Sequence, residues 1–131
     1  MNFKHFSIFS ILIILPFLVS CQAPKDKKEP VLPDPLAAGW EGQQVCEVLQ
    51  NDQDLRILRC TFPPGVGHEK HYHPKHTGYT LKGGKFRITD ITGTREVNIP
   101  DGSVFQNDTI VWHEVLNIGS DTAIFLIVEP Q

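Results

Sequence analysis

The sequence predicts a small all-β domain that follows an N-terminal export and tether region. Apolar and β-branched residues form short segments, several of which alternate with polar residues as half-buried strands do. Turn-forming Gly, Pro, Asn and Asp residues separate these segments at short intervals, and no stretch has a helical period. Many short strands with this punctuation are typical of a small barrel or sandwich.

The first 20 residues predict a secretory signal. Lys4 and His5 precede the uncharged run FSIFSILIILPFLV, which is shorter than the roughly 20 residues that span a bilayer. The run ends in LVSC, which resembles a bacterial lipobox and implies that Cys21 is lipidated. The resemblance implies anchoring at the cell envelope. By analogy with such lipoproteins, Gln22 rather than Asp after the cysteine favours the outer membrane and periplasm if the cell is Gram-negative. The alternatives are an ordinary signal peptide or a short uncleaved anchor.

Residues 21–38 are interpreted as an extended tether that carries the lipidated cysteine. Prolines at positions 24, 30, 33 and 35 disfavour regular structure, because proline lacks an amide donor and fixes φ. The remaining residues, 39–131, suffice for one small domain. The net charge of the chain is −3, so no basic surface is expected for nucleic acid.

The first two predicted strands, QQVCEVLQ and LRILRCTF, are joined by NDQD, and this pattern predicts a β-hairpin. One register, with the turn centred on Gln53, aligns an apolar pair, an opposite-charge pair and a thiol pair, as sheets favour. These pairs are Val48 with Leu58, Glu47 with Arg59, and Cys46 with Cys60. Export would permit a Cys46–Cys60 disulfide, and two buried free thiols are an equal alternative.

Five further strands are predicted along the rest of the chain. They are GYTLK, GKFRITD after a Gly83–Gly84 turn, TREVNI, TIVWHEVLNI and TAIFLIVE. The segments PDG at 100–102 and NIGSDT at 117–122 are predicted turns.

Four of the six histidines lie within the segment HEKHYHPKH. In a strand, His71 and His73 project to the same face, about 7 Å apart, and can contact one ion if a neighbouring strand completes the site. His113 is the natural third ligand, although a lone histidine in a strand is more often a core or pocket residue. His68 has the opposite parity and is predicted to lie at the surface. His76 follows a bend, so parity does not assign it.

These residues resemble the two motifs of the cupin superfamily. Gly65, five residues and then His71-Tyr72-His73 match the first half of G-x5-H-x-H-x3-4-E-x6-G, and 113–117 matches H-x3-N. His76 occupies the glutamate position with one residue fewer after His73. PDG resembles the PGD turn, whereas the usual P-x-G pair is replaced by Asp108 and Ile110. The resemblance covers residues 43–129 and implies a single-domain double-stranded β-barrel, or jelly roll.

The resemblance implies that His71, His73 and His113 bind a divalent transition metal, with His76 as a candidate fourth ligand. Nitrogen donors disfavour Mg and Ca, which leaves Fe, Zn, Ni, Cu or Mn as the expected cofactor. Three ligands leave open positions for a substrate, whereas four ligands around zinc close the site. A barrel without metal is the remaining alternative.

The barrel interior beside the ion is expected to be lined by Tyr79, Phe86 and Phe105, for which simple barrel filling is the alternative. Arg87 should alternate outward, so the sequence names no anchor for a carboxylate substrate. No serine lies near a histidine motif, and no catalytic residue is assigned.

Two functions compete at this point. The first is a metal-dependent enzyme of dioxygenase, lyase or isomerase type that acts on a small organic molecule. The second is a non-catalytic module that binds a small ligand or metal at the envelope, favoured by the tether and by the lack of a recognisable acid–base partner. A degenerate barrel with a structural role is a third interpretation. The resemblance also allows a homodimer.

Overall fold

Antiparallel pairing organises all eleven strands that the computed structural model describes within residues 31–131. The strands are β1 (Gly39–Trp40), β2 (Gln43–Gln44), β3 (Cys46–Asn51), β4 (Leu55–Phe62), β5 (Gly67–His73), β6 (His76–Lys82), β7 (Gly84–Asp90), β8 (Gly93–Ile99), β9 (Val104–Asn107), β10 (Ile110–Asn117) and β11 (Ala123–Pro130). The predicted signal peptide, Cys21 and the first part of the tether lie outside the described residues. Within residues 31–131, no helix is long and apolar enough to cross a membrane.

Two sheets form the jelly roll, and a small β1-β2 ribbon accompanies them. One sheet has the order β5-β10-β7-β8 and the other the order β3-β4-β11-β6-β9. The all-β prediction is therefore confirmed. Strand β9, with the short sequence VFQN, was not predicted, because its four residues carry little periodicity.

The first hairpin has the predicted register. Cys46 pairs with Cys60, Glu47 with Arg59, and Val48 with Leu58. Of the two alternatives for the thiols, the structure shows the disulfide. Both cysteines face the core, where they pack with Leu58 and Phe62.

The core lies between the inner faces of the two sheets. Phe62 and Phe86 pack edge to face, with ring centroids 5.7 Å apart, and Phe125 lies 5.5 Å from Phe86 in a similar arrangement. Such aromatic pairs add about 0.5–1.5 kcal/mol beyond the apolar area that they bury. The ring centroid of Phe62 lies 6.0 Å from that of His68, so this aromatic cluster adjoins the histidine-rich segment.

The last residues of the predicted tether contact the barrel. Pro33 accepts a backbone hydrogen bond from Tyr72 N at 3.1 Å, and Asp34 pairs with Arg56 at 2.7 Å. Pro35 and Ala38 are buried. The last part of the predicted tether therefore packs against the barrel, because these prolines are held by contacts with distant strands that composition does not reveal.

Candidate metal centre

The three predicted ligands meet at one point because strands β5 and β10 are neighbours. His71 and His73 lie on β5, and His113 on β10 is the Cα partner of His71. The Nε2 atom of His71 lies 2.9 Å from Nε2 of His73 and 3.0 Å from Nε2 of His113. Ligand atoms of all three residues lie within 4.8 Å of one another.

The protonation pattern of this trio fits a cation. His71 Nδ1 donates to the carbonyl oxygen of Glu69 at 2.6 Å, so Nε2 of the neutral ring is an acceptor only. Its single lone pair faces both His73 Nε2 and His113 Nε2, and one lone pair cannot accept two good hydrogen bonds. An ion that accepts lone pairs from all three nitrogens resolves this conflict. The three residues therefore fit a transition metal bound through imidazole nitrogen.

Burial keeps these imidazoles neutral. Desolvation, followed by the charges of neighbouring histidines, lowers the pKa of His73 and of His113 to about 2. Burial also lowers the pKa of His71. Protons therefore do not compete for the lone pairs at neutral pH, which favours metal ligation.

His76 lies beside this trio but outside it. It projects from β6 in the other sheet, and its ring centroid is 4.6 Å from that of His73. Its Nδ1 donates to the carbonyl oxygen of Pro74 at 2.8 Å, and the side-chain amide of Asn107 lies 3.4 Å from its Nε2. Ligation by His76 stays a prediction, because Asn107 would have to leave Nε2 first.

His68 is buried, and the prediction that it lies at the surface is wrong. Only 3% of the residue is exposed, its ring centroid is 3.8 Å from that of His71, and its Nε2 donates to Pro35 O at 2.9 Å. The cause is a β-bulge, since His68 to His71 oppose only Val115 to His113 on β10. The extra residue resets the alternation and turns His68 inward. Burial and the neighbouring histidines lower its pKa to about 3.

A cavity of about 500 Å³ opens next to the histidines. His73, His76 and His113 lie on its wall, and much of the remaining wall is apolar. The apolar side chains include Phe62, Phe86, Ile88, Phe105, Phe125 and Ile127. Phe86 and Phe105 thus lie where the sequence analysis placed them.

Tyr79 does not line this cavity, and that prediction is wrong. Alternation along β6 turns His76, Gly78 and Thr80 inward, which leaves Tyr79 outward and 42% exposed. The inward position next to it must be glycine, because a Cβ at Gly78 would come within 1.9 Å of the Phe105 ring.

Comparison with known proteins assigns this sequence to a family. The family profile described as "Cupin domain" matches residues 58–129. The chain belongs to the cupin family. A search of curated proteins found no match to the sequence.

Solved structures, two of them described as cupins, resemble the chain in fold. A cupin domain from Bordetella pertussis Tohama I has a TM-score of 0.63 at 18% identity, with 66% of this chain and 92% of that chain covered. An RmlC-like cupin from Methanocaldococcus jannaschii has a TM-score of 0.55 at 24% identity and covers 66% and 78%. The polyketide cyclase RemF from Streptomyces resistomycificus has a TM-score of 0.54 at 18% identity, with coverage of 65% and 63%.

The cupin cavity also contains an arginine that the sequence analysis did not identify. Arg95 lies on the cavity wall and pairs with Asp90 at 2.6 Å, whereas Arg87 faces outward as predicted. Hydrogen bonds from Thr92 and then from Arg95 lower the pKa of Asp90 to about 2. The sequence could have indicated Arg95, because it lies two and four residues before Val97 and Ile99. Side chains at that spacing lie on the same face of β8.

Glu129 is a second residue that the sequence analysis missed. It is buried on the inner face of β11, and its carboxylate lies 3.6 Å from Nδ1 of His73. The alternation in TAIFLIVE places Glu129 on the same face as Phe125 and Ile127. Its partners, however, come from distant parts of the chain.

Proposed function

We propose that this cupin binds a divalent transition metal through His71, His73 and His113 and holds a small, largely apolar organic molecule in the adjoining cavity. The convergence of three imidazole nitrogens carries the proposal, and two of the three residues, His73 and His113, lie on the wall of that cavity. A site of this kind, apolar with a few convergent polar groups, is the usual form of a small-molecule pocket.

The chain's own residues would orient a ligand histidine and shape the cavity in such a site. Glu69 O holds His71 with its Nε2 lone pair directed at the centre. The aromatic wall formed by Phe62, Phe86 and Phe105 excludes water and orients an apolar ligand. The metal, when bound, supplies Lewis acidity or redox chemistry.

The reaction class would be that of a dioxygenase, lyase or isomerase. Two solved neighbours, a polyketide cyclase and a predicted oxalate decarboxylase from Thermotoga maritima, are named for different chemistries. The shared fold therefore does not select one reaction.

A non-catalytic binding module is the second candidate, and one observation favours it. Asp90, a carboxylate on the cavity wall, already accepts hydrogen bonds from the Thr92 backbone and hydroxyl and from Arg95. It is therefore poorly placed to exchange a proton with a ligand.

Metal and turnover assays separate the two candidates. We expect the natively produced protein to contain about one transition metal per chain, with nitrogen ligands by X-ray absorption, because three neutral imidazoles converge. Oxygen uptake or product formation by the Fe(II)-loaded protein with diketones, phenolics or thiols would support the enzyme. Metal binding without turnover would support the module. Failure to bind any of Fe, Zn, Ni, Cu or Mn would contradict the proposal.

We also propose that Cys21 carries the lipid anchor and that the domain works at the cell envelope. The Cys46–Cys60 disulfide supports this location, because disulfides persist in oxidising compartments.

Cys21→Ser is expected to abolish incorporation of a labelled fatty acid, because the acylated thiol is removed. The measurement is metabolic labelling followed by membrane fractionation. The double variant Cys46→Ala/Cys60→Ala serves as the control and should remain labelled. An unlabelled wild-type protein would contradict the proposal and favour an ordinary signal peptide.

A further inference from the structure

Glu129 places a buried carboxylate behind the histidine trio. The residue is 1% exposed, and its Oε2 accepts a hydrogen bond from Arg56 Nε at 2.5 Å. Its other oxygen, Oε1, has no hydrogen-bond partner among the described residues. Buried polar atoms are rarely left unpaired, so this oxygen requires an explanation.

The nearest matching donor is His73. Its Nδ1 is also buried without a hydrogen-bond partner within residues 31–131, and it lies 3.6 Å from Glu129 Oε1. That distance exceeds the usual limit of about 3.2 Å for an N–H···O hydrogen bond by roughly half an ångström. A small rotation of the ring would close the gap.

We propose that Glu129 is a positioning residue for His73: its Oε1 accepts the Nδ1 proton and holds the Nε2 lone pair toward the metal. This inference rests on the proposed metal-binding function and deepens it. Histidine ligands commonly donate their second nitrogen to such a partner, which sets the tautomer and increases ligand basicity. For His71, Glu69 O already has this role.

The surrounding charges hold Glu129 in place. Arg56 bridges Glu129 and Asp34, with Nη1 2.7 Å from Asp34 Oδ2. Asp34 also accepts from Leu36 N at 3.1 Å and Ala37 N at 2.8 Å. Burial opposes ionisation of Asp34, but hydrogen bonds from Arg56 and Ala37 hold its pKa below the usual value. Two carboxylates and one guanidinium leave one net negative charge behind the trio.

This charge has a function in a centre built from neutral ligands. In the cupin motif a glutamate occupies the position that His76 occupies here, so the ligand set itself has no carboxylate. Glu129 supplies a negative charge next to a ligand instead. The N-terminal residues from Asp34 to Ala37 thereby become part of the support of the metal centre.

Glu129→Gln tests this role because it keeps the shape of the side chain and reverses one hydrogen bond. The amide oxygen must face the Arg56 donor, which directs the amide N–H group at His73 Nδ1. His73 would then carry its proton on Nε2, where it blocks the metal. We expect the Kd for Zn(II) to rise about 10–100-fold, the usual effect of losing such a partner.

The measurements are competition with a chromophoric chelator and long-range ¹⁵N–¹H NMR of the metal-free protein, which reports the His73 tautomer. Glu47→Gln is the matched control, because Glu47 also pairs with an arginine, at 2.7 Å from Arg59 Nε, but is exposed. It should change neither readout. Wild-type affinity and an unchanged tautomer in a folded Glu129→Gln variant would overturn the proposal.

Two further outcomes are informative. If the wild-type protein binds no metal, the proposed function fails, while the tautomer still decides whether Glu129 orients His73. If Glu129→Gln does not fold, Glu129→Asp replaces it, since it keeps the charge and withdraws the carboxylate by one methylene. A weaker Zn(II) affinity supports the proposal, and wild-type affinity contradicts it.

Discussion

Replacing His71 with alanine is expected to abolish stoichiometric metal binding. Its Nε2 lies 2.9 Å from Nε2 of His73 and 3.0 Å from Nε2 of His113. The variant would therefore keep only two of the three converging ligand nitrogens. The Kd should rise by more than about 100-fold, beyond the loss that follows removal of an outer partner. The measurement is competition titration with Zn(II) and Co(II), with urea unfolding to show that the variant is folded.

His76→Ala is the matched control for this variant. His76 comes from the same histidine-rich segment and is equally buried, but its ring nitrogens face Pro74 O and Asn107. A smaller loss of affinity than in His71→Ala is expected. Equal losses would show that His76 is a fourth ligand. Wild-type affinity in His71→Ala would exclude the three-histidine centre.

Much of the fold could be predicted because the deciding patterns are local. The turn at NDQD and the charges of Glu47 and Arg59 fix one register of the first hairpin, and the structure has that register. The two-residue spacing of His71 and His73 likewise places both rings on one face of β5. His113 was the natural third ligand from its place in a strand, but only the resemblance to the cupin motifs set it beside the pair, since strand order cannot be read from alternation.

The wrong predictions have specific physical causes. Parity counting assumes an uninterrupted strand, and the bulge opposite Val115 turns His68 inward. Residues 33–38 were assigned to the tether from their composition alone. Their contacts could not be foreseen, because the partners lie far along the sequence. The pairing of Arg56 with Glu129 spans 73 residues, and only the adjacency of β4 and β11 brings the two together.

Arg56→Ala is expected to lower the free energy of unfolding by about 3–5 kcal/mol, the usual cost of removing one partner from a buried ion pair. The reason is the carboxylate that is left behind: Glu129 is 1% exposed and cannot be solvated where it lies. Asp34 would lose its partner as well, which weakens the attachment of the N-terminal residues to the barrel. The measurement is urea unfolding at neutral pH without metal.

Arg59→Ala is the matched control on the same strand. Arg59 also pairs with a glutamate, but both side chains are about half exposed, and such pairs contribute only about 0–1 kcal/mol. The double variant Arg56→Met/Glu129→Leu should recover most of the loss, because an apolar pair of similar size removes the unpaired charge. If Arg56→Ala lowers the free energy of unfolding no more than Arg59→Ala does, the Glu129 carboxylate is not held by Arg56 as a buried charge. Arg56 would then not be what positions Glu129 beside His73.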